Sequence, residues 1–146
     1  MARTADLHQT AEQRLRRLNQ RLTSGRVVLL EVLAASDRPV TIPEILESRT
    51  GLAQSSVYRN LVVLEEAGVV DRVVTRDEFA RYELAEDLTG HHHHLVCSQC
   101  GVVQDLPAHP ALETALRTAV GDARRRKGFR AEEHRLDLIG VCSDCA

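Results

Sequence analysis

Four cysteines stand as two matched pairs, Cys97-x-x-Cys100 and Cys142-x-x-Cys145. Each such turn can aim two thiolates at one ion, and two turns complete a tetrahedral all-sulfur site. Tetrahedral sulfur ligation points to zinc or, less often, iron. Four protein ligands leave no position for water, so a zinc ion there would be structural. It would tie the end of the chain to the first strand of its back half. Disulfides or a redox pair are the alternatives. The N-terminus has no basic and apolar leader, which sets the expectation of a cytoplasmic chain, where disulfides are rare.

Just before the first pair runs His91-His92-His93-His94, continuing into Leu95-Val96-Cys97. On a strand, successive side chains alternate faces. His91 and His93 then point one way and His92 and His94 the other, so the run can feed two separate metal sites. The remaining ligands must come from elsewhere: Asp71 and Glu83 on a predicted hairpin, Asp105 on the next strand, Glu113 on a helix and His134 on the last strand. His8 and His109 read as surface residues. A zinc hydrolase built on a His-x-His pair would need an open coordination position, a general base and a pocket. No nucleophile motif accompanies these histidines, so neither an enzyme nor a small organic substrate is expected. A metal-buffering protein is a further alternative.

A different chemistry is written in Ser55-Ser56-Val57-Tyr58-Arg59-Asn60-Leu61. Val57, Leu61 and Leu64 fall on one helical face and predict a buried stripe. Ser55, Ser56, Tyr58, Arg59 and Asn60 would face outward. Hydroxyls at a helix start suit phosphate oxygens. Tyr58 can touch a thymine methyl or a phosphate, Arg59 a phosphate or a guanine edge, and Asn60 an adenine. Residues 1–26 hold six arginines, among them Arg17, Arg21 and Arg26, against only Asp6 and Glu12. Such a basic stretch suits the backbone of double-stranded DNA.

These groups need elements to hold them. The chain has 146 residues, 43% hydrophobic and 3% aromatic, which allows one domain or two small ones with aliphatic cores. No apolar run is long enough to cross a membrane. Leucine spacing predicts a helix over residues 7–22. Thr23 or Ser24 caps a second helix rich in Val and Leu. Residues 37–40 read as a turn. Thr41 with Glu44 predicts a capping box on a third helix, and Ser55 or Gln54 opens a fourth that stops at Gly68. Residues 69–75 and 79–84 read as a hairpin. Three helices and a hairpin outline a winged helix-turn-helix. The back half reads as strands over 91–97 and 102–106, a helix over 110–126 and a strand over 130–141. The whole is an α+β fold.

The residues that carry a family resemblance are Arg21-Leu22-Thr23 with Arg26, then Ser56-Val57-Tyr58-Arg59-Asn60-Leu61 with Leu64 and Ala67-Gly68. They continue through Tyr82-Glu83-Leu84, His91 to Cys97, Cys100-Gly101 and Gly140-x-Cys142-x-x-Cys145. In this order and spacing the chain resembles the ferric uptake regulator superfamily over essentially its whole length. The resemblance implies a winged-helix DNA-binding domain at 1–86, a hinge near 85–91 and a metal-binding dimerisation domain at 91–146. It implies a homodimeric repressor that binds inverted-repeat operators when loaded with a regulatory metal. Cys97, Cys100, Cys142 and Cys145 would hold structural zinc. His92 and His94 would join Glu83, Asp71 and Asp105 in a regulatory site, and His91 and His93 would join Glu113 and His134 in a second one. Tyr58 and Arg59 match the family's DNA-contacting tyrosine and arginine.

Two departures bear on the metal. Iron- and peroxide-sensing relatives supply a histidine just after the second helix, where this chain has Arg38-Pro39-Val40. Zinc-sensing relatives carry an aspartate where Asp71 stands and a cysteine near the place of Ala85. The Asp, Glu and His set has no soft ligand and could take zinc, iron(II) or manganese(II). Asp71 tips the expectation toward zinc. The ion would bridge the wing to the dimerisation domain and close the hinge.

Overall fold

The computed structural model describes residues 4–48 and 50–146. Arg3, one of the six N-terminal arginines, lies outside the described residues.

Helix α1 (Thr4–Arg17) buries Leu7, Ala11 and Leu15, spaced four apart along one face. It is shorter than the leucine spacing predicts. Asn19 adopts a left-handed φ of 56°, and the Leu18 and Gln20 amides both turn back to the Leu15 carbonyl. Asparagine tolerates that conformation and ends the helix. Leu18 is left exposed, and Leu22 reaches the core from the loop. Helix α2 (Ser24–Ala35) starts at Thr23, whose hydroxyl accepts from the Arg26 amide, and it buries Leu29, Leu30 and Leu33. Strand β1 (Val40–Thr41) follows, and then helix α3 (Ile42–Glu47) opens with the expected capping box. Glu44 accepts from the Thr41 amide at 2.7 Å, a cap that stabilises by about 1 kcal/mol. Helix α4 (Gln54–Glu66) places Val57, Leu61 and Leu64 fully inside and stops at Gly68, whose φ is 68°.

Strands β2 (Val70–Val73) and β3 (Arg81–Leu84) form the hairpin, and β1 pairs with the other side of β3, giving the order β1-β3-β2. Two residues of strand carry no readable alternation, so the 37–40 turn hid β1. The hairpin strands are shorter than expected because residues 74–80 form a loop gathered around Arg81. One turn of helix, α5 (Glu86–Thr89), occupies the stretch expected as hinge.

In the back half, β4 (His92–Cys97) is central. It pairs antiparallel with β5 (Val103–Pro107) and parallel with β6 (Asp137–Gly140). Helix α6 (Pro110–Lys127) lies between β5 and β6 in sequence and closes at left-handed Gly128. The strand expected over 130–141 shrinks to β6. Ala131-Glu132-Glu133-His134 has no apolar alternation to pair, and it serves instead to deliver His134.

The apolar core belongs to the front half, running from Leu7 to Leu84. The back half differs in kind. Helix α6 buries no side chain, and among the described residues of 91–146 the buried side chains are Val103, Cys97, His93 and His94.

Candidate metal centres and nucleic-acid surface

The chain folds three groups of ligands into clusters, each with its ligand atoms within 4.8 Å of one another. Cys97, Cys100, Cys142 and Cys145 form the first. Parallel pairing of β6 with β4 sets Gly140 opposite Cys97, which carries the closing cysteine turn to the opening one. No disulfide forms. Cys100 Sγ lies 3.7 Å from Cys142 Sγ. The amides of Cys100 and Cys142 point at Cys97 Sγ and lower its pKa to about 6. Crowding by the neighbouring thiols pushes Cys145 up to about 12. Four sulfurs this close cannot all become thiolates without a cation among them, which is the condition a tetrahedral zinc site meets.

The second cluster is His91, His93, Glu113 and His134. Glu113 is its hub. One oxygen lies 2.7 Å from His93 Nε2, and the other lies 3.1 Å from His91 Nε2 and 3.3 Å from His134 Nε2. The bond to His93 holds the Glu113 carboxyl below its ordinary pKa. His134 Nε2 is buried and makes no aligned hydrogen bond. A buried ring nitrogen facing a carboxylate and two imidazoles fits a cation better than it fits solvent.

The third cluster is Glu83, His92, His94 and Asp105. Antiparallel register puts His94 opposite Asp105, and Glu83 comes from β3 in the front sheet. His92 Nε2 lies 3.2 Å and His94 Nε2 3.0 Å from the two Glu83 oxygens, and Asp105 stands 3.9 Å from His92 on the exposed rim. The outer ring nitrogens are engaged behind them: His92 Nδ1 with the Gly90 carbonyl at 2.9 Å, His94 Nδ1 with Asp137 at 3.4 Å. An N–H held from behind fixes the tautomer that turns the Nε2 lone pairs inward, the arrangement metal-ligating histidines use. Burial disfavours protonating both rings, yet for His92 the Gly90 carbonyl and Glu83, and for His94 mainly Glu83, outweigh it and raise the pKa. Burial and the Glu83 charge push Asp105 upward.

Asp71 is not part of this cluster. It pairs across the hairpin with Glu83, but its carboxylate accepts from the Glu86 amide at 3.3 Å and caps α5. It lines a cleft of about 300 Å³ that it shares with Glu83, His92 and His94 and with Glu65, Glu86 and Glu133. Burial first, then the surrounding carboxylates, raise its pKa. Asp71 thus stands beside the histidine cluster, in the same cleft, rather than within its four-residue group. Arg38, standing where iron- and peroxide-sensing relatives have a histidine, is committed to Glu44 at 2.7 Å.

Sequence reasoning missed Glu86, whose carboxylate meets His91 Nδ1 and raises that histidine's pKa. An acid in an acidic hinge carries no distinguishing signal. It also missed Asp137, which the β4–β6 register alone reveals.

On the reading helix, Ser55, Tyr58 and Arg59 are exposed, and Ser56 is half-buried. Ser55, Tyr58 and Arg59 share an open cleft with Ile42 and Gln54. Arg17 and Arg21 are exposed at the end of α1 and in the loop after it. Arg26 is not available to DNA. It is 9% exposed and donates to the Arg21 carbonyl, to Gln20 Oε1 and to Asn60 Oδ1 at 3.1 Å. Asn60 is thereby half-buried with its oxygen engaged by Arg26, which competes with the two-atom contact with adenine that its type suggested. Arg14 and Arg16 are also paired, with Asp87 and Glu12.

Comparison with known proteins agrees with this architecture. The description "Ferric uptake regulator family" matches residues 17–139. The peroxide operon regulator of Bacillus subtilis is 29% identical over 93% of this chain and 91% of its own length. The Helicobacter pylori ferric uptake regulator, described as having three functional metal-binding sites, superposes with a TM-score of 0.81. It is 22% identical and covers 99% of this chain and 94% of that one. The ferric uptake regulator of Pseudomonas aeruginosa, solved with manganese, gives a TM-score of 0.69 at 26% identity, covering 88% of this chain and 95% of that one.

Proposed function

The chain belongs to the ferric uptake regulator family of metal-responsive transcriptional repressors, and from that premise we propose that Glu83, His92, His94 and Asp105 are its regulatory metal site. The observation that carries this reading is the split origin of the cluster. Glu83 comes from the front sheet, and the other three ligands come from the back sheet. A divalent cation would supply the positive charge that lets two carboxylates and two imidazoles share one point. Glu83 then draws the wing toward β4 and fixes where α4 sits relative to the back half. The free-energy difference needed is modest, about 1–3 kcal/mol of coupling.

The donor set is two imidazoles and two carboxylates, with no sulfur. Such a set accepts iron(II) and manganese(II) as well as zinc, and because half of its donors are hard carboxylates and none is sulfur we assign the sensed ion to iron(II) or manganese(II). Zinc is assigned to Cys97, Cys100, Cys142 and Cys145. His91, His93, Glu113 and His134 form a second site that stands in for an apolar core.

Ser55, Ser56, Tyr58 and Arg59 contact the operator, with Arg17 and Arg21 on phosphates. The working unit is a homodimer. Leu138, Ile139 and Val141 are at least half exposed at the edge strand, Phe129 is 62% exposed, and Leu112, Leu116 and Val120 line one half-buried face of α6. A second copy covers them and sets two reading helices on an inverted repeat of double-stranded DNA. No described helix is long and apolar enough to cross a membrane, and the protein acts in the cytoplasm without an enzymatic role.

The test is operator binding by protein that retains its cysteine-bound metal, titrated with iron(II), manganese(II), zinc and nickel(II). Activation by iron(II) or manganese(II) at the lowest free concentration supports the assignment, and activation by zinc alone overturns it. Equal DNA affinity with and without added ion removes the switch altogether. The B. subtilis relative's description favours a second reading, in which peroxide is the signal. In that case the iron(II)-loaded protein would lose its operator on peroxide treatment and the manganese(II)-loaded protein would keep it.

A further inference from the structure

The loop at residues 74–80, between β2 and β3, has no part in the metal clusters or the reading helix, yet it is built around a buried charge. The Arg81 side chain is 6% exposed. Its Nη1 donates to Thr75 Oγ1 and Asp77 Oδ1, both at 2.8 Å, and to the Phe79 carbonyl at 3.1 Å. Its Nη2 donates to Asp77 Oδ2 at 2.7 Å. A wing standing in solvent would leave such a pair wet. Here the loop rests on the cysteine knuckle of the back half. Thr75, Arg76 and Asp77 share a cleft of about 270 Å³ with Cys97, Ser98, Gln99 and Gly101.

Gly101 marks a close approach of the two halves. Its φ is +74°, and a Cβ built there would overlap the Asp77 carboxylate and stand 2.9 Å from Arg81 Nη2. Two independent demands thus exclude a side chain: the left-handed turn out of Cys100, and the wing that fills the space. Arg81 and Glu83 are two apart on β3 and lie on the same face. That face presents Glu83 to the histidine cluster and Arg81 to the knuckle. Seating the arginine therefore fixes where the glutamate arrives.

We infer that the Asp77–Arg81 pair and Gly101 form a docking contact, separate from the regulatory cluster, through which the folded cysteine knuckle positions the wing and the reading helix. The dependence on a folded knuckle rests on the reading of the four cysteines as a zinc site. Asp77 and Arg81 are positioning residues and touch neither the ion nor DNA.

The test is a double-mutant cycle in the full chain. Gly101→Asn adds the Cβ while tolerating the left-handed backbone, and Asp77→Ala empties the space it would enter. Two readouts are taken with the regulatory ion saturating: amide exchange over residues 74–80 and operator affinity. Gly101→Asn alone should unprotect the loop and weaken operator binding by roughly 2- to 160-fold, the span of coupling between residues in contact. In the Asp77→Ala background the same substitution should cost little. If the two single effects simply multiply in the double variant, the contact does not exist. Removing the cysteine-bound ion should also unprotect the loop, and unchanged exchange there overturns the knuckle's role. Failure of the zinc reading would appear separately, as purified chain without zinc by elemental analysis, with the coupling between positions 77 and 101 still measurable.

Discussion

Arg26 and Arg21 show how much a charge depends on what surrounds it. Both sit in a basic stretch that reads as a DNA contact, but Arg26 is turned inward and ties three groups together: Gln20, the Arg21 carbonyl and Asn60. Removing it strands those acceptors, at a cost of about 1–3 kcal/mol. Arg26→Ala should therefore lower the melting temperature and leave the salt dependence of operator binding unchanged. Arg21→Ala should do the reverse, keeping stability and reducing the slope of log affinity against log salt by about one. Thermal unfolding beside a salt titration separates the two roles. The sequence could not distinguish them, because the burial of Arg26 depends on how the chain folds back on it, with one partner 34 residues away. Asp71 is a similar case. Its type and position suggested a ligand, but its partner is the first amide of a helical turn that has no sequence signature.

At the scale of elements, strand β4 does the most with the least. Alternation alone divides its histidines between two faces, and this division, like the pairing of the cysteine turns, was legible because it is local geometry. The partners across the sheet were less so. Glu113 and His134 depend on how α6 and the segment before β6 return to β4. Glu83 is where the two sheets meet, so Glu83→Gln should abolish the metal-dependent part of operator affinity, a loss of about 5- to 150-fold, while cysteine-bound zinc stays at its usual content. Titration of the histidine run gives a second expectation. His91, bonded to Glu86, and His92 and His94, which their partners favour protonating despite burial, have raised pKa values. Without metal, the stability they add is complete below their unfolded value of about 6.5 and fades as pH rises through the folded values. Metal competes with those protons, so the loaded protein gains stability as pH rises. Denaturation of both forms between pH 5.5 and 8 should give opposite slopes. Parallel slopes would mean the histidines do not hold the ion.

The whole molecule is two halves stabilised by different means. The front half has a continuous aliphatic core, and its outline, three helices and a hairpin, followed from apolar spacing. The back half has few fully buried apolar side chains within one chain, and composition gave no warning, since 43% hydrophobic content was shared unequally. Strong chelation should therefore unfold residues 91–146 and leave the front half intact, a two-step loss visible by amide exchange. A single cooperative transition would contradict it. Ile139→Asp, on the exposed edge strand, should give a monomer by sedimentation with metal still bound.

The pairing of β6 with β4 also imposes an order on synthesis. The front-half core is complete once Leu84 has emerged, and domains generally fold as they leave the ribosome, N-terminal first. The strand that flanks the histidines, and the last cysteine pair, lie within residues 137–146. The sulfur cluster cannot close until Cys142 and Cys145 have followed the rest of the back half out of the ribosome. Synthesis thus passes through a stage with a finished reading helix and an open thiol pair at Cys97 and Cys100, so the reading helix is always older than the cluster behind it.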